Sequence, residues 1–222
     1  MRPRSVEPAG WLKAVIFDLD EVLLARDRAW SFAIEQAVLS VTGARIQPAG
    51  HAGGYRNRPW RHILSVLVED QRDAARCEEL CRDMYARSAM KHLLVAEGLG
   101  MALDKLRGAR IDMGAVSREP HRLALSQLES TGLERFIAVL AGTPEGESWD
   151  AGARVGQCLS FLGREPAAVA YVSGDPFDLR AAARLGLACG WAAWPAAEDT
   201  GGFATVPTPA QLAALATLLA PR

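Results

Sequence analysis

The stretch Ala14-Val15-Ile16-Phe17-Asp18-Leu19-Asp20-Glu21-Val22-Leu23-Leu24 sets the reading of the whole chain. From Ala14 to Leu19 five residues are apolar, and only Asp18 interrupts them. A short apolar run rich in β-branched and aromatic side chains reads as a buried strand, here residues 12–19. Carboxylates at the tip of such a strand are costly to bury unless they face a cleft, a cation or a hydrogen-bond donor. Residues two apart in a strand point to one face, so strand geometry persisting to Asp20 would aim Asp18 and Asp20 at one site. The plainer alternative is a pair of carboxylates that only cap a turn at the strand end.

Working outward, periodicity places the remaining elements. A helix is expected from Asp27 to about Val41, with Gly43 as its stop. Residues 44–57 read as a loop, Pro59 opens a second helix, and a third runs from about Arg72 to Leu93. After Gly98 the texture changes. Helices are expected at 101–106, 121–128, 152–162, 178–185 and 209–219, and strands at 111–116, 136–140, 167–172 and 187–191. Strands alternating with helices argue for an α/β fold, a parallel sheet wrapped by helices. Residues 26–95 contain no convincing strand, so the core is expected to comprise residues 11–25 and 96–222, interrupted by an all-helical insert at 26–95. Ligands of open α/β sheets bind outside the carboxyl ends of the strands, so an insert placed directly after the first strand would form a lid over the site.

Composition narrows the function classes. The chain has 222 residues with a formal net charge of −1, which gives no bulk electrostatic case for nucleic acid or an anionic membrane as partner. No apolar run approaches the roughly 20 residues that span a bilayer. Residues 1–10 lack the apolar segment of a signal peptide. A cytoplasmic protein is the expectation, and oligomeric state is not encoded. Cys77, Cys81, Cys158 and Cys189 have no His at a matching local spacing, so they read as structural thiols rather than a metal site. The basic residues are almost all arginine; the only lysines are Lys13, Lys91 and Lys105.

Phe17-Asp18-Leu19-Asp20 followed by Val22-Leu23 resembles the first motif of the haloacid dehalogenase superfamily, and the order of elements matches from Lys13 to the C-terminus. The resemblance is closest to the phosphoglycolate phosphatase and β-phosphoglucomutase-like branch. It implies a Rossmann-like core with a helical cap domain after the first strand. It further implies a Mg²⁺-dependent phosphatase acting on a small phosphorylated metabolite. In that chemistry one carboxylate attacks phosphorus to give an aspartyl-phosphate, and a second protonates the leaving oxygen and later activates water. By resemblance Asp18 is the nucleophile and Asp20 the acid/base partner. Dehalogenases of the superfamily lack the second carboxylate, so Asp20 favours phosphoryl chemistry. Glu21 stands where Gly is frequent.

The second motif, a Ser or Thr that holds the phosphate, falls on Ser117, with Arg118 adjacent as a further phosphate-binding candidate; the alternative for Ser117 is a helix cap. The third motif is a lysine before a helix. Its position falls near Trp149, and no lysine follows Lys105, which leaves Arg154, Arg118 or a lid arginine as candidate substitutes. The fourth motif supplies metal carboxylates. Here Gly174-Asp175-Pro176-Phe177-Asp178 is one residue tighter than usual, and Asp175 and Asp178 join Asp18 and Asp20 as the implied Mg²⁺ ligands, with helix capping as the alternative for Asp178. In the insert, Gly54, Arg56 and Arg58 resemble the cap's substrate loop. His62 and His121 read as ordinary helix residues. The altered third and fourth motifs keep a second reading open, a binding or regulatory protein of the same fold that has lost catalysis. A phosphomutase is a narrower alternative.

Overall fold

The computed structural model describes residues 10–46, 60–194 and 200–220. The chain forms two units, residues 1–25 with 95–222, and residues 26–94.

The first unit is built on β1 (Ala14–Asp18), every residue of which is buried. The chain leaves this unit after β2 (Leu24–Ala25) and returns at β3 (Leu94–Val95). Then follow α4 (Leu99–Gly108), β4 (Asp112–Ser117), α5 (His121–Thr131), β5 (Val139–Gly142), α6 (Ala151–Leu162), β6 (Val169–Ser173), α7 (Pro176–Arg184), β7 (Ala188–Ala192), β8 (Ala204–Val206) and α8 (Leu215–Leu218). The six longer strands make one sheet in the order β5-β4-β1-β6-β7-β8, and every paired neighbour is parallel. This is a Rossmann-like α/β fold. Strand alternation assigns the two faces of β1. Val15 and Phe17 join Ala124 and Leu128 of α5, Leu103 and Leu106 of α4, and Leu215 of α8. Ala14 and Ile16 face the opposite way, with Val155 and Cys158 of α6 and Leu179 and Ala182 of α7. Both faces are therefore covered, which is why the strands read as continuous apolar runs.

Several boundaries move from their expected places. The strand expected at 136–140 is Val139–Gly142, because Phe136 closes a 3₁₀ turn at Glu134–Phe136 and buries its ring in the core instead of extending the chain. The C-terminal helix expected at 209–219 is a 3₁₀ segment, Pro209–Ala214, followed by the short α8. The strand β8 carries only three residues and gave no periodic signal. Nor did β3, a two-residue strand that lies inside the 26–95 segment expected to be all-helical.

The second unit contains α1 (Asp27–Thr42), α2 (Trp60–Leu67) and α3 (Gln71–Arg87). Gly43 ends α1 at φ 73°, the left-handed conformation that glycine adopts without strain. The helix expected to reach Leu93 stops at Arg87, where Ser88 turns its hydroxyl back onto the Met84 carbonyl at 3.0 Å. Ile34, Ala37 and Val38 of α1 pack with Ile63 and Leu64 of α2 and with Cys77 and Cys81 of α3. Trp30 and Trp60 stack at 4.8 Å between centroids. Burial pushes the Cys81 thiol up to about 12, and all four cysteines are free thiols, in keeping with structural packing.

Candidate active site

Three strands end side by side at the carboxyl edge of the sheet, and each ends on a buried polar residue: Asp18 of β1, Ser117 of β4 and Ser173 of β6. This edge, where the chain runs to either side of β1, is where ligands of open α/β sheets bind. Extended geometry does not persist to Asp20 as the strand period required. Leu19–Leu23 forms one wide π-helical turn instead, a distortion common at functional sites. Asp18 caps that turn, its Oδ1 accepting the N–H groups of Asp20 at 2.9 Å and Glu21 at 3.2 Å. Its Oδ2 accepts the Ser173 hydroxyl at 3.0 Å. Asp18 is 1% exposed. Burial, with Glu21 and Asp20 adding to it and Arg118 opposing, holds its carboxyl well above the ordinary range.

The turn carries Asp20 toward β4. The Ser117 hydroxyl donates to Asp20, with Oγ 3.0 Å from Oδ1 and 3.2 Å from Oδ2, and the Arg118 N–H donates to Oδ2 at 2.6 Å. Ser117 does not cap α5, whose N-cap is Pro120; its Oγ accepts the Glu119 N–H at 3.0 Å within the loop. Two residues that sequence reasoning missed hold this loop. Thr143 donates its hydroxyl to the Ser117 carbonyl at 3.0 Å and its N–H to the Glu119 carbonyl at 2.9 Å. Gly142 lies so close beneath it that a Cβ would stand 2.5 Å from the His121 nitrogen. With β5 misplaced by its Phe136 start, neither residue stood out as a strand terminus.

On the other side of β1, β6 feeds α7. Asp175 is the N-cap of this helix, its Oδ1 accepting the Phe177 N–H at 2.8 Å, so the capping role considered for Asp178 belongs to Asp175. Asp178 lies one turn inside and is buried. Its Oδ1 accepts the Trp149 indole N–H at 3.0 Å, and its Oδ2 accepts Arg118 Nη2 at 2.8 Å. The same Nη2 reaches Asp175 Oδ2 at 3.2 Å, and the guanidinium lies over the Trp149 ring at 4.8 Å. Burial pushes the Asp178 carboxyl up to about 6, outweighing the opposing pull of Arg118 and Trp149. Burial works against the charge on Arg118 as well, but Asp18, Asp178, Asp20 and Glu21 outweigh it and raise its pKa. Ser173 was also missed. It donates to Asp18 while accepting the Asp175 N–H at 3.1 Å, and so ties the two corners together.

Mg²⁺ can be tested against these residues. Each oxygen of Asp18, Asp20, Asp175 and Asp178 already accepts a hydrogen bond from the protein. Among the described residues no three His, Cys, Asp or Glu side chains form a group able to hold a metal ion. A guanidinium sits between Asp175 and Asp178, two of the four carboxylates expected to be metal ligands. Octahedral Mg²⁺ wants hard oxygens free to coordinate, and this arrangement does not fit it. Nor does Arg154 answer for the lysine, since it pairs with Glu147 at 3.5 Å and with Gln157 at 3.1 Å. Gly54, Arg56 and Arg58 lie outside the described residues. His62 and His121 are exposed on their helices. Among the described residues no helix is long and apolar enough to cross a membrane.

The chain resembles solved structures over most of its length. A HAD-superfamily hydrolase, subfamily IA, variant 1, from Geobacter sulfurreducens aligns with a TM-score of 0.76 at 17% identity, covering 93% of this chain and 97% of that one. A candidate β-phosphoglucomutase from Thermotoga maritima gives a TM-score of 0.75 at 20% identity, covering 93% and 99%. A candidate phosphoglycolate phosphatase from Haemophilus somnus gives 0.76 at 13% identity, covering 91% and 96%. At these identities the likeness is one of fold. No curated protein matches the chain. A model of the haloacid dehalogenase-like hydrolases matches residues 15–192, and the chain therefore belongs to that family.

Proposed function

We propose that this chain is a phosphatase-type hydrolase acting on a small phosphorylated metabolite at Asp18. The observation that carries the reading is the corner made by β1 and β4. Two buried carboxylates stand at the end of the central strand, and the second is gripped by the hydroxyl and N–H that follow β4. In the proposed reaction a carboxylate oxygen of Asp18 attacks phosphorus and the ester P–O bond breaks. Asp20 gives its proton to the departing oxygen. Asp20 then takes a proton from water, whose oxygen attacks the aspartyl-phosphate, releasing inorganic phosphate and restoring Asp18. Ser117 and the Arg118 N–H fix Asp20 between these steps. In this reading residues 26–95 correspond to the family's cap domain, and the substrate loop implied for Gly54, Arg56 and Arg58 lies outside the described residues. Turnover of small phosphate esters above that of an Asp18→Asn control is the expected result; equal turnover by the two proteins ends the reading. Phosphoryl return to a sugar, the mutase variant, would appear in the same assay as isomerised sugar phosphate without net phosphate release.

A second reading, a binding or regulatory protein, is favoured by one specific observation. Every carboxylate oxygen of the four site aspartates already accepts a hydrogen bond from a protein donor. Saturable binding of a phosphorylated metabolite without turnover would establish it over the first.

A further inference from the structure

We propose that Arg118 is the resident cation of this site, and that its guanidinium excludes Mg²⁺ from Asp175 and Asp178. Three features of the corner support this. One nitrogen, Nη2, bridges Asp178 at 2.8 Å and Asp175 at 3.2 Å, so the position between the two carboxylates is held by a positive charge. The Trp149 ring lies under the guanidinium at 4.8 Å and gives a planar cation a planar seat. That tryptophan falls near the place of the motif's lysine, and its indole N–H is spent on Asp178. Finally, Asp175 is committed elsewhere. Pro176 starts α7 immediately after it, and Asp175 Oδ1 closes the helix cap on Phe177. The shortened Gly174-Asp175-Pro176-Phe177-Asp178 segment thus turns one carboxylate onto the backbone and leaves its other oxygen to the arginine.

Charge and hydration decide between the two cations. A guanidinium stays protonated throughout the working pH range and is weakly hydrated, so it can remain in a partly buried pair. Mg²⁺ gives up its water reluctantly and demands octahedral oxygen ligands. To enter, it would have to expel Arg118 from both carboxylates and from the tryptophan face. The loop after β4 holds the arginine in place: Arg118 is only 18% exposed at its side chain, and its backbone N–H is bonded to Asp20. The exclusion does not depend on turnover, so it stands apart from the hydrolase reading.

Calorimetric titration of the purified full chain with MgCl₂ tests it, supported by melting temperature measured with and without millimolar Mg²⁺. The wild-type protein is expected to show no saturable heat in the millimolar range and no Mg²⁺-dependent rise in melting temperature. Arg118→Ala removes the cation from the Oδ2 of both carboxylates and is expected to gain Mg²⁺ affinity by about tenfold or more, with a melting temperature that now rises with Mg²⁺. Should that variant not fold, Arg118→Gln, neutral and of similar length, carries the same expectation. Saturable uptake by the wild type overturns the proposal, as does the absence of any gain in a folded Arg118 variant. An inactive wild type that takes up no Mg²⁺ would end the hydrolase reading and leave this one standing; activity that requires Mg²⁺ would do the reverse.

Discussion

The two corners of the active edge spend their carboxylates differently. At the β1–β4 corner, Asp18 and Asp20 accept hydrogen bonds from hydroxyls and backbone N–H groups, and Arg118 acts on them through space. At the β6–α7 corner, Asp175 and Asp178 close on the cation Arg118. Neutral donors orient a carboxylate without placing a counter-charge in contact with its negative charge. A guanidinium cancels that charge in place. In the proposed reading the first corner carries the chemistry, while the second is neutralised by direct contact with Arg118.

The sharpest way to break this contrast is to remove one carboxylate from each corner. Asp18→Asn is expected to lower turnover by roughly three orders of magnitude, because a carboxamide cannot form the covalent intermediate. Its fold should survive, since the amide oxygen can still accept the N–H groups of Asp20 and Glu21. Asp178→Asn should cost turnover far less, about tenfold or under, because its hydrogen bonds go to Arg118 and Trp149 rather than to Asp18 or Asp20. Equal losses in a steady-state assay would mean that both corners serve the reaction alike.

Stability should show the opposite ranking. Arg118→Ala leaves two acidic side chains facing each other without their cation. Breaking a well-buried pair costs about 3–5 kcal/mol, and the partial exposure of Arg118 lowers the expected loss to about 2–3 kcal/mol in urea unfolding. A double-mutant cycle with Asp178→Asn should return a coupling of about 1–2 kcal/mol. A coupling near zero would show that the two residues touch without supporting each other.

How much of this was legible in the sequence follows the same division. The β1 corner was readable because its signal is local: an apolar strand and two acids within a few residues. The sheet was readable from alternating strands and helices. What the sequence concealed depends on contacts made across long separations. Ser173 bonds Asp18 across 155 positions and Trp149 bonds Asp178 across 29, and no periodicity announces either. Arg118 was visible as a candidate for a phosphate or for the lysine's place, but its closure on Asp175 and Asp178 depends on how β4 and β6 flank β1. Asp20 reached its partners through a π turn where the strand period anticipated continued extension. Thr143 and Gly142 were lost for a simpler reason. Phe136 looked like a strand residue, and tertiary burial placed it in a turn.

Gly142 offers a probe of the neutral corner. An alanine Cβ there would stand 2.5 Å from the His121 nitrogen and 2.8 Å from the Glu119 carbonyl, both backbone atoms that cannot swing aside. Gly142→Ala should therefore push the 117–121 loop off its seat and cost about 1–3 kcal/mol in thermal or urea unfolding. The displaced loop carries Ser117 and the Arg118 N–H, so turnover should fall with stability. A destabilised but fully active Gly142→Ala protein would mean that Asp20 needs no grip from β4.

The smallest expected effect separates the two things Trp149 does at the cationic corner. Its indole N–H donates to Asp178, and its ring supports the guanidinium of Arg118. Trp149→Phe removes the donor while keeping an aromatic face. The loss of one hydrogen bond to a charged acceptor is worth about 1–2 kcal/mol, and some is returned by the Arg118 contact that remains. Trp149→Ala takes away both roles and should cost more, by about the 0.5–1 kcal/mol of a partly exposed cation–π contact plus lost packing. Melting both variants, alone and with Arg118→Ala, distinguishes them. If the ring seats the guanidinium, the difference between Phe and Ala at this position shrinks once Arg118 is gone. If it does not shrink, the stacking is incidental, and the arginine is held by its two carboxylates alone.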